Sequence, residues 1–430
     1  MVKRDEKYAW HLGSRPPPID PHSLVKHQIV RSYLERYIQV LMSNVLIEKL
    51  TLSIVDGFAG GGEYMAEDGI NFHEGSPLIA LNTVAEQQVA LNVGRLKPRH
   101  IAAKYYFVEK DKGNFDYLRQ LVCARVEQSR LGSDIEMLRG TFQERVSSII
   151  ADIRARERGE RAIFLLDQYA YDQVSAPLLR TIFSQVKGAE VLLTFNVDSL
   201  IAFLSNTAQS RKKLKELGLD RYINWETIDG LKLAGGNVWR SAIQRNLAKS
   251  LVEVSGAKHY TIFYITPKGS TAWTYWLVHL SNSFKARDVM MELHWKLSNH
   301  FSHYLEPDIF TLGYSTNVDG SVTGQDSLDL GEAHHFDKVA SERCLSGLAA
   351  KLVPTIYDHG KPILFGELLE RFGSSTPATA DMIRMSLDAA IRSGDIGASA
   401  AADGSRRLRG STLRPGDVLT AAPQRPMIFL

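Results

Sequence analysis

Thr51-Leu-Ser-Ile-Val55-Asp-Gly-Phe-Ala-Gly-Gly-Gly62 is the stretch on which the fold turns. A short β-branched run meets an acidic residue, and four glycines then fall between positions 57 and 62. This reads as a strand ending in a sharp turn, because glycine lets the backbone bend and approach another group closely. Ligands of open α/β sheets bind outside the carboxyl ends of the strands, so the turn is the first candidate site. Its spacing is not G-x-G-x-x-G, since Gly60-x-Gly62 is followed by Glu63-Tyr64-Met65. The phosphate loop G-x-x-x-x-G-K-[ST] is absent as well.

Working outward, four more short apolar runs follow: Lys104–Val108, Ile135–Leu138, Ala162–Leu166 and Glu190–Phe195. Helical stretches separate them, at Pro77–Asn92, Lys112–Ser129, Thr141–Ala155 and Ala176–Val186. Strand and helix in alternation predict an α/β fold with a doubly wound, mostly parallel sheet. His259–Ile265 and Ala272–Leu280 lie six residues apart around Pro267-Lys-Gly269, which predicts a terminal antiparallel hairpin. Ahead of the sheet, Val25, Ile29, Tyr33, Tyr37 and Leu41 recur at four-residue steps in an amphipathic helix, Ser23–Met42. Residues 1–22 are polar, and Arg15-Pro-Pro-Pro-Ile-Asp20 predicts an extended lead-in.

The α/β domain is expected to span 23–305, followed by a linker or loop region over 306–360. A small winged-helix-like domain is expected over 361–430. It would hold helices at Ile363–Phe372 and Ala378–Ser393 and a strand starting at Gly394-Asp-Ile396. The polar tip Ala398–Ser405 would follow, with a return strand at Arg406–Leu413.

The 430 residues carry 51 basic and 48 acidic side chains, a formal charge of +3, so nucleic-acid contact would have to come from a local patch. Cys123 and Cys344 cannot build a disulfide framework or a four-cysteine zinc site. No apolar run approaches a membrane span, and the amino terminus lacks a signal-peptide core, so no membrane and a cytoplasmic location are expected. Glu109 ends the second strand, where an acidic side chain can accept from both hydroxyls of a ribose. Asp111 is its rival. The gap from Asp56 is 53 residues rather than about 20, so an insertion is expected over 63–76. Ser76 suits a helix N-cap and Pro77 the first helical position. Thr141, in Gly140-Thr-Phe142, either approaches an adenine or caps the helix that follows.

Asp56-x-Phe-x-Gly60-x-Gly62 resembles the first motif of S-adenosylmethionine-dependent methyltransferases, and the strand inventory is similar to their class I fold. The resemblance implies S-adenosylmethionine as cofactor, held by Asp56, Gly57, Phe58, Ala59, Gly60, Gly62 and Glu109, with Asp111 and Thr141 beside them. Asp167 would orient the acceptor and Tyr169 stack on it, as in methyltransferases of exocyclic amines. Those enzymes carry Asp-Pro-Pro-Tyr, whereas this chain has Asp167-Gln-Tyr-Ala170. Cytosine carbon-5 chemistry would need a Pro-Cys nucleophile, and the two cysteines follow Val122 and Arg343.

More narrowly, Lys26, Tyr33-Leu34, Asp56-Gly-Phe-Ala-Gly60, Gly75-Ser-Pro-Leu78, Phe107-Val-Glu109 and Leu166-Asp167 resemble the three-Cys-motif partner protein family (TcmP). That resemblance implies association with a separate three-cysteine-motif protein. A non-catalytic subunit that recruits a protein or nucleic acid is the alternative. His294, His300 and His303 share a predicted helix over Lys285–Leu305 without an acidic or cysteine cluster, so no metal site is assigned. Arg211-Lys-Lys213 with Lys215 reads as a solvated helix face. Arg406, Arg407 and Arg409 on the predicted wing suit phosphates, which makes nucleic acid a candidate partner.

Overall fold

In the computed structural model, residues 8–168, 170–226, 228–229, 238–265, 275–297, 338–373 and 376–423 are described. The chain divides into two compact units, Met1–Leu293 and His294–Leu430.

The first unit is built on a seven-stranded sheet. Its strands are β1 (Lys49–Asp56), β4 (His100–Glu109), β5 (Ile135–Arg139), β6 (Arg161–Asp167), β7 (Gly188–Phe195), β8 (His259–Ile265) and β9 (Tyr275–Ser281). They lie in the order β5-β4-β1-β6-β7-β9-β8. The first five are parallel, and β9 runs antiparallel to both β7 and β8. This is the doubly wound sheet with a terminal antiparallel hairpin of a class I methyltransferase-like fold. Helices on both faces explain why the central strands are apolar throughout: Ile54, Val55, Ile163, Phe164, Val191 and Leu193 are all fully buried. From β1 the chain winds outward through β4 and β5, then crosses back to β6 and winds the other way. The switch point therefore lies between β1 and β6, with Asp56 beside Phe107 on one side and Leu165 on the other.

The expected insertion after β1 is a hairpin, β2 (Glu63–Met65) and β3 (Phe72–Glu74), which precedes α2 (Ser76–Ala90). Helix α1 (Pro21–Leu41) packs beside α2. Buried Tyr33 on α1 donates to the Glu190 carboxylate of β7 and lies 3.0 Å from His279 Nε2 of β9. These contacts fix α1 across the sheet.

The lead-in is extended, as its prolines dictate, but it is not a loose polar arm. Ile19 N–H donates to the Met65 carbonyl and Met65 N–H to that of Pro17, so the segment is bridged to the hairpin at Pro18. Trp10 is 3% exposed and donates Nε1–H to the Glu63 carbonyl at 2.7 Å.

In the second unit, the stretch read as linker ends in a 22-residue helix, Lys338–His359. Its Ala340, Cys344, Leu348, Leu352 and Ile356 form one buried stripe. Then come β10 (Ile363–Leu364), helices Phe365–Gly373 and Ala380–Ser393, β11 (Ile396–Ser399) and β12 (Val418–Ala421), in the sheet order β10-β12-β11. The return strand differs from expectation. Arg406 makes one bridge to Ser399, and Gly410–Thr412 is a 3-10 turn. Asp388 of the 380–393 helix accepts from Gly410 N–H at 2.8 Å, and Asp417 pairs with Arg407 at 2.9 Å. These ties draw residues 407–413 over the helix, and the strand forms later, where Leu419 buries its side chain.

Candidate functional site

The carboxyl edge of β1, β4 and β6 brings together Asp56, Glu109 and Asp167, three residues separated by more than fifty positions each. Glu109 is 8% exposed and faces the glycine turn: Oε2 accepts from Gly60 N–H at 2.9 Å and Oε1 from Asp111 N–H at 2.8 Å. Burial pushes its carboxyl up. Each oxygen keeps a further lone pair for another donor.

Asp56 is 1% exposed. Its Oδ1 accepts from Phe58 N–H at 3.1 Å, and its Oδ2 is buried with no hydrogen-bond partner of good geometry. Burial raises its carboxyl to about 7, against the opposing pull of the Ser76 hydroxyl and the Phe58 amide, and the charges of Asp167 and Glu109 add to the rise. Ser76 is free for this role because Gly75, not Ser76, occupies the N-cap of α2.

Asp167 meets Lys26 of α1, whose Nζ donates to Oδ1 at 2.7 Å and to Oδ2 at 2.6 Å. Desolvation of the part of Asp167 turned into the protein acts to raise its carboxyl, but Lys26, with the Thr194 hydroxyl, outweighs it and holds the group below the usual range. The side chain is 42% accessible, so water shares in this pair. Next to it, His27 is pushed down to about 4 by burial and by the Lys26 charge, and its Nδ1 is buried without a partner. Gln168, the departure from the methyltransferase pattern, closes the following loop: its Oε1 accepts from Gln173 N–H at 3.2 Å and Val174 N–H at 2.9 Å. Tyr169 lies outside the described residues, as do His300 and His303.

The glycines are explained first by protein packing. A Cβ on Gly57 would come 2.7 Å from Leu166 Cδ2, and one on Gly62 would come 2.7 Å from Leu118 Cδ1. At Gly61 a Cβ would fall inside the Trp10 indole, and at Gly60 it would come within 3.2 Å of the same ring. Gly60 and Gly62 also hold positive φ, 55° and 88°. The N–H groups of Gly57, Phe58, Ala59 and Gly60 are bound to Leu165 O, Asp56, Val108 O and Glu109. Thr141 and Glu144 form a reciprocal capping box, and Asp111 caps the helix Lys112–Arg125. What fits a sulfonium nucleoside here is therefore the carboxylate set. Lys26 pairs with Asp167, whereas Asp56 and Glu109 form no ion pair among the described residues, so a cationic ligand would favour their ionised forms.

Of the predicted nucleic-acid arginines, Arg406 and Arg409 are exposed, whereas Arg407 is committed to Asp417. Trp10, Lys26 and His27 complete the edge. Lys26 was visible only through the family resemblance, and neither Trp10 nor His27 carried a local pattern.

No family model matches the chain, and no curated protein does either. Among solved structures, Trm1 from Pyrococcus horikoshii in complex with S-adenosyl-L-methionine is 11% identical, covers 98% of this chain and 94% of its own, and has a TM-score of 0.31. A DszA carbon methyltransferase is 13% identical with a TM-score of 0.27; the match covers 59% of this chain and 53% of that one, about half its length. The amino-terminal domain of human METTL16 with SAH is 10% identical, covers 65% and 78%, and has a TM-score of 0.25. Likeness this distant says nothing of substrate. The fold stands on the strand order, and the resemblance to TcmP rests on its motif residues alone.

Proposed function

We propose that the chain binds S-adenosylmethionine at the carboxyl edge of β1 and β4 and transfers its methyl group to nucleic acid. The observation that carries this reading is the buried Asp56 carboxyl, whose Oδ2 has no hydrogen bond of good geometry and which lies close to the Glu109 and Asp167 carboxylates at the switch point. A carboxylate raised by burial favours a ligand that brings positive charge, and S-adenosylmethionine brings a sulfonium and an amine. Glu109 would hold the ribose. Asp167 would orient the acceptor, and catalysis would be mostly positioning. The order of helices and strands over 338–421 supports a winged-helix-like unit in which Arg406 and Arg409 meet phosphate.

A second reading is favoured by the Lys26–Asp167 pair. Both oxygens of Asp167 are engaged by one ammonium, which suits a binding subunit that recruits a partner, such as a three-cysteine-motif protein, without catalysis. Methyl transfer from labelled S-adenosylmethionine to RNA, DNA or protein separates the two. Labelled nucleic acid supports the first reading. Cofactor binding without transfer supports the second, and labelled protein alone contradicts both.

A further inference from the structure

A cleft of about 520 Å³ opens among segments that follow β6 and β7, in the size range of small-molecule sites. It lies between the helices Val197–Phe203 and Ala208–Leu217 and the loop that follows β6. Its walls include Tyr171, Phe203, Ser205, Ser210, Lys212 and Lys213. Phe203 is 70% exposed, a large aromatic face directed at no protein core. Lys212 is 80% exposed and lies 4.0 Å from Glu216, which also lines the cleft; Lys213, next to it on the same helix, pairs with Asp172 at 2.6 Å. The rim continues past Ser205 to Asn206, which accepts from Arg211 Nε and Nη2, and the Arg211 guanidinium lies 5.5 Å over Trp225. Basic groups interleaved with aromatic ones are the arrangement that stacks bases and tracks a phosphate backbone.

We propose that this cleft binds unpaired nucleotides of a single-stranded nucleic acid, with Phe203 as the stacking face and Lys212 as a phosphate contact. The inference rests on the function proposed above in one respect only, that the strand is the methyl acceptor; binding itself is independent of the cofactor. A solvated basic helix face explains Lys212 and Lys215, but not the exposed phenyl ring inside a concave site. A duplex hides its base faces and would bind more weakly.

The test uses the full chain and labelled RNA and DNA single strands of about 12 nucleotides, with their duplexes, read by fluorescence anisotropy. Wild-type protein should bind at least one single strand more tightly than its duplex. Phe203→Ala should weaken that binding by roughly five- to a hundredfold, while Phe203→Tyr keeps it. Lys212→Glu should weaken it and flatten its salt dependence. Whether RNA or DNA binds tighter identifies the source of the strand. The inference is overturned if neither single strand binds, or if Phe203→Ala and Lys212→Glu bind as wild type does. Calorimetry with S-adenosylmethionine on the same variants keeps the two proposals apart. Lost cofactor binding with intact strand binding sinks the enzyme and leaves the cleft; the reverse sinks only the cleft.

Discussion

Asp56 concentrates the chemistry of the site in one side chain. Its native carboxyl titrates at about 7, whereas an unfolded aspartate titrates at 3.8. Between these values the native chain holds a proton that the unfolded chain has released, so stability falls as pH rises and the full deficit is present above about 7. Asp56→Asn removes that titration. Urea unfolding should show the variant gaining on wild type from pH 5 to pH 8, by up to a few kcal/mol at ~1.4 kcal/mol per unit. Equal pH profiles for the two proteins would show that Asp56 is not a buried, strained acid. Gly61 makes the opposite point, because it serves packing. Gly61→Ala should cost about 1–3 kcal/mol by overpacking against the Trp10 indole. In a Trp10→Ala background the same change should cost much less, a coupling that a double-mutant cycle measures.

Elements with local periodicity were legible, and contacts between distant elements were not. The strand ending at Glu109 is legible despite the 53-residue gap, because alternation with helices marks it independently of spacing. The Lys26–Asp167 pair spans 141 positions, and no local pattern announces it. The prolines of the lead-in announce its extended backbone. Its docking depends on Trp10 reaching Glu63 and on Pro17 and Ile19 pairing with Met65, long-range contacts that composition does not encode. In the second unit, the four-residue stripe from Ala340 to Ile356 did signal a helix, but Pro354 inside it and the polar stretch before it obscured the pattern. Helix α1 matters here because it carries Lys26 to the edge. Lys26→Met should let the Asp167 carboxyl rise, since burial would then act without its counter-charge. A carboxyl NMR titration would detect this, and an unmoved Asp167 would mean that other hydrogen bonds hold it down.

At the scale of the whole molecule, a net charge of +3 supplies no broad attractive field, so any nucleic-acid affinity comes from a few local cations. The salt dependence of strand binding should accordingly be shallow, with a logarithmic slope of about −1 to −3 rather than the steep slope of a polycation. A much steeper slope would point to contacts well beyond the cleft. The central claim concerns the switch point, where the two windings of one sheet part and the carboxylates of Asp56, Glu109 and Asp167 gather. Calorimetric titration of S-adenosylmethionine into the full chain at pH 6 and pH 7.5 tests it most directly. One-to-one binding, several-fold tighter at pH 7.5 as Asp56 ionises, and lost in Asp56→Asn, is the predicted result. No heat of binding at either pH, or an affinity indifferent to both pH and Asp56, would contradict it.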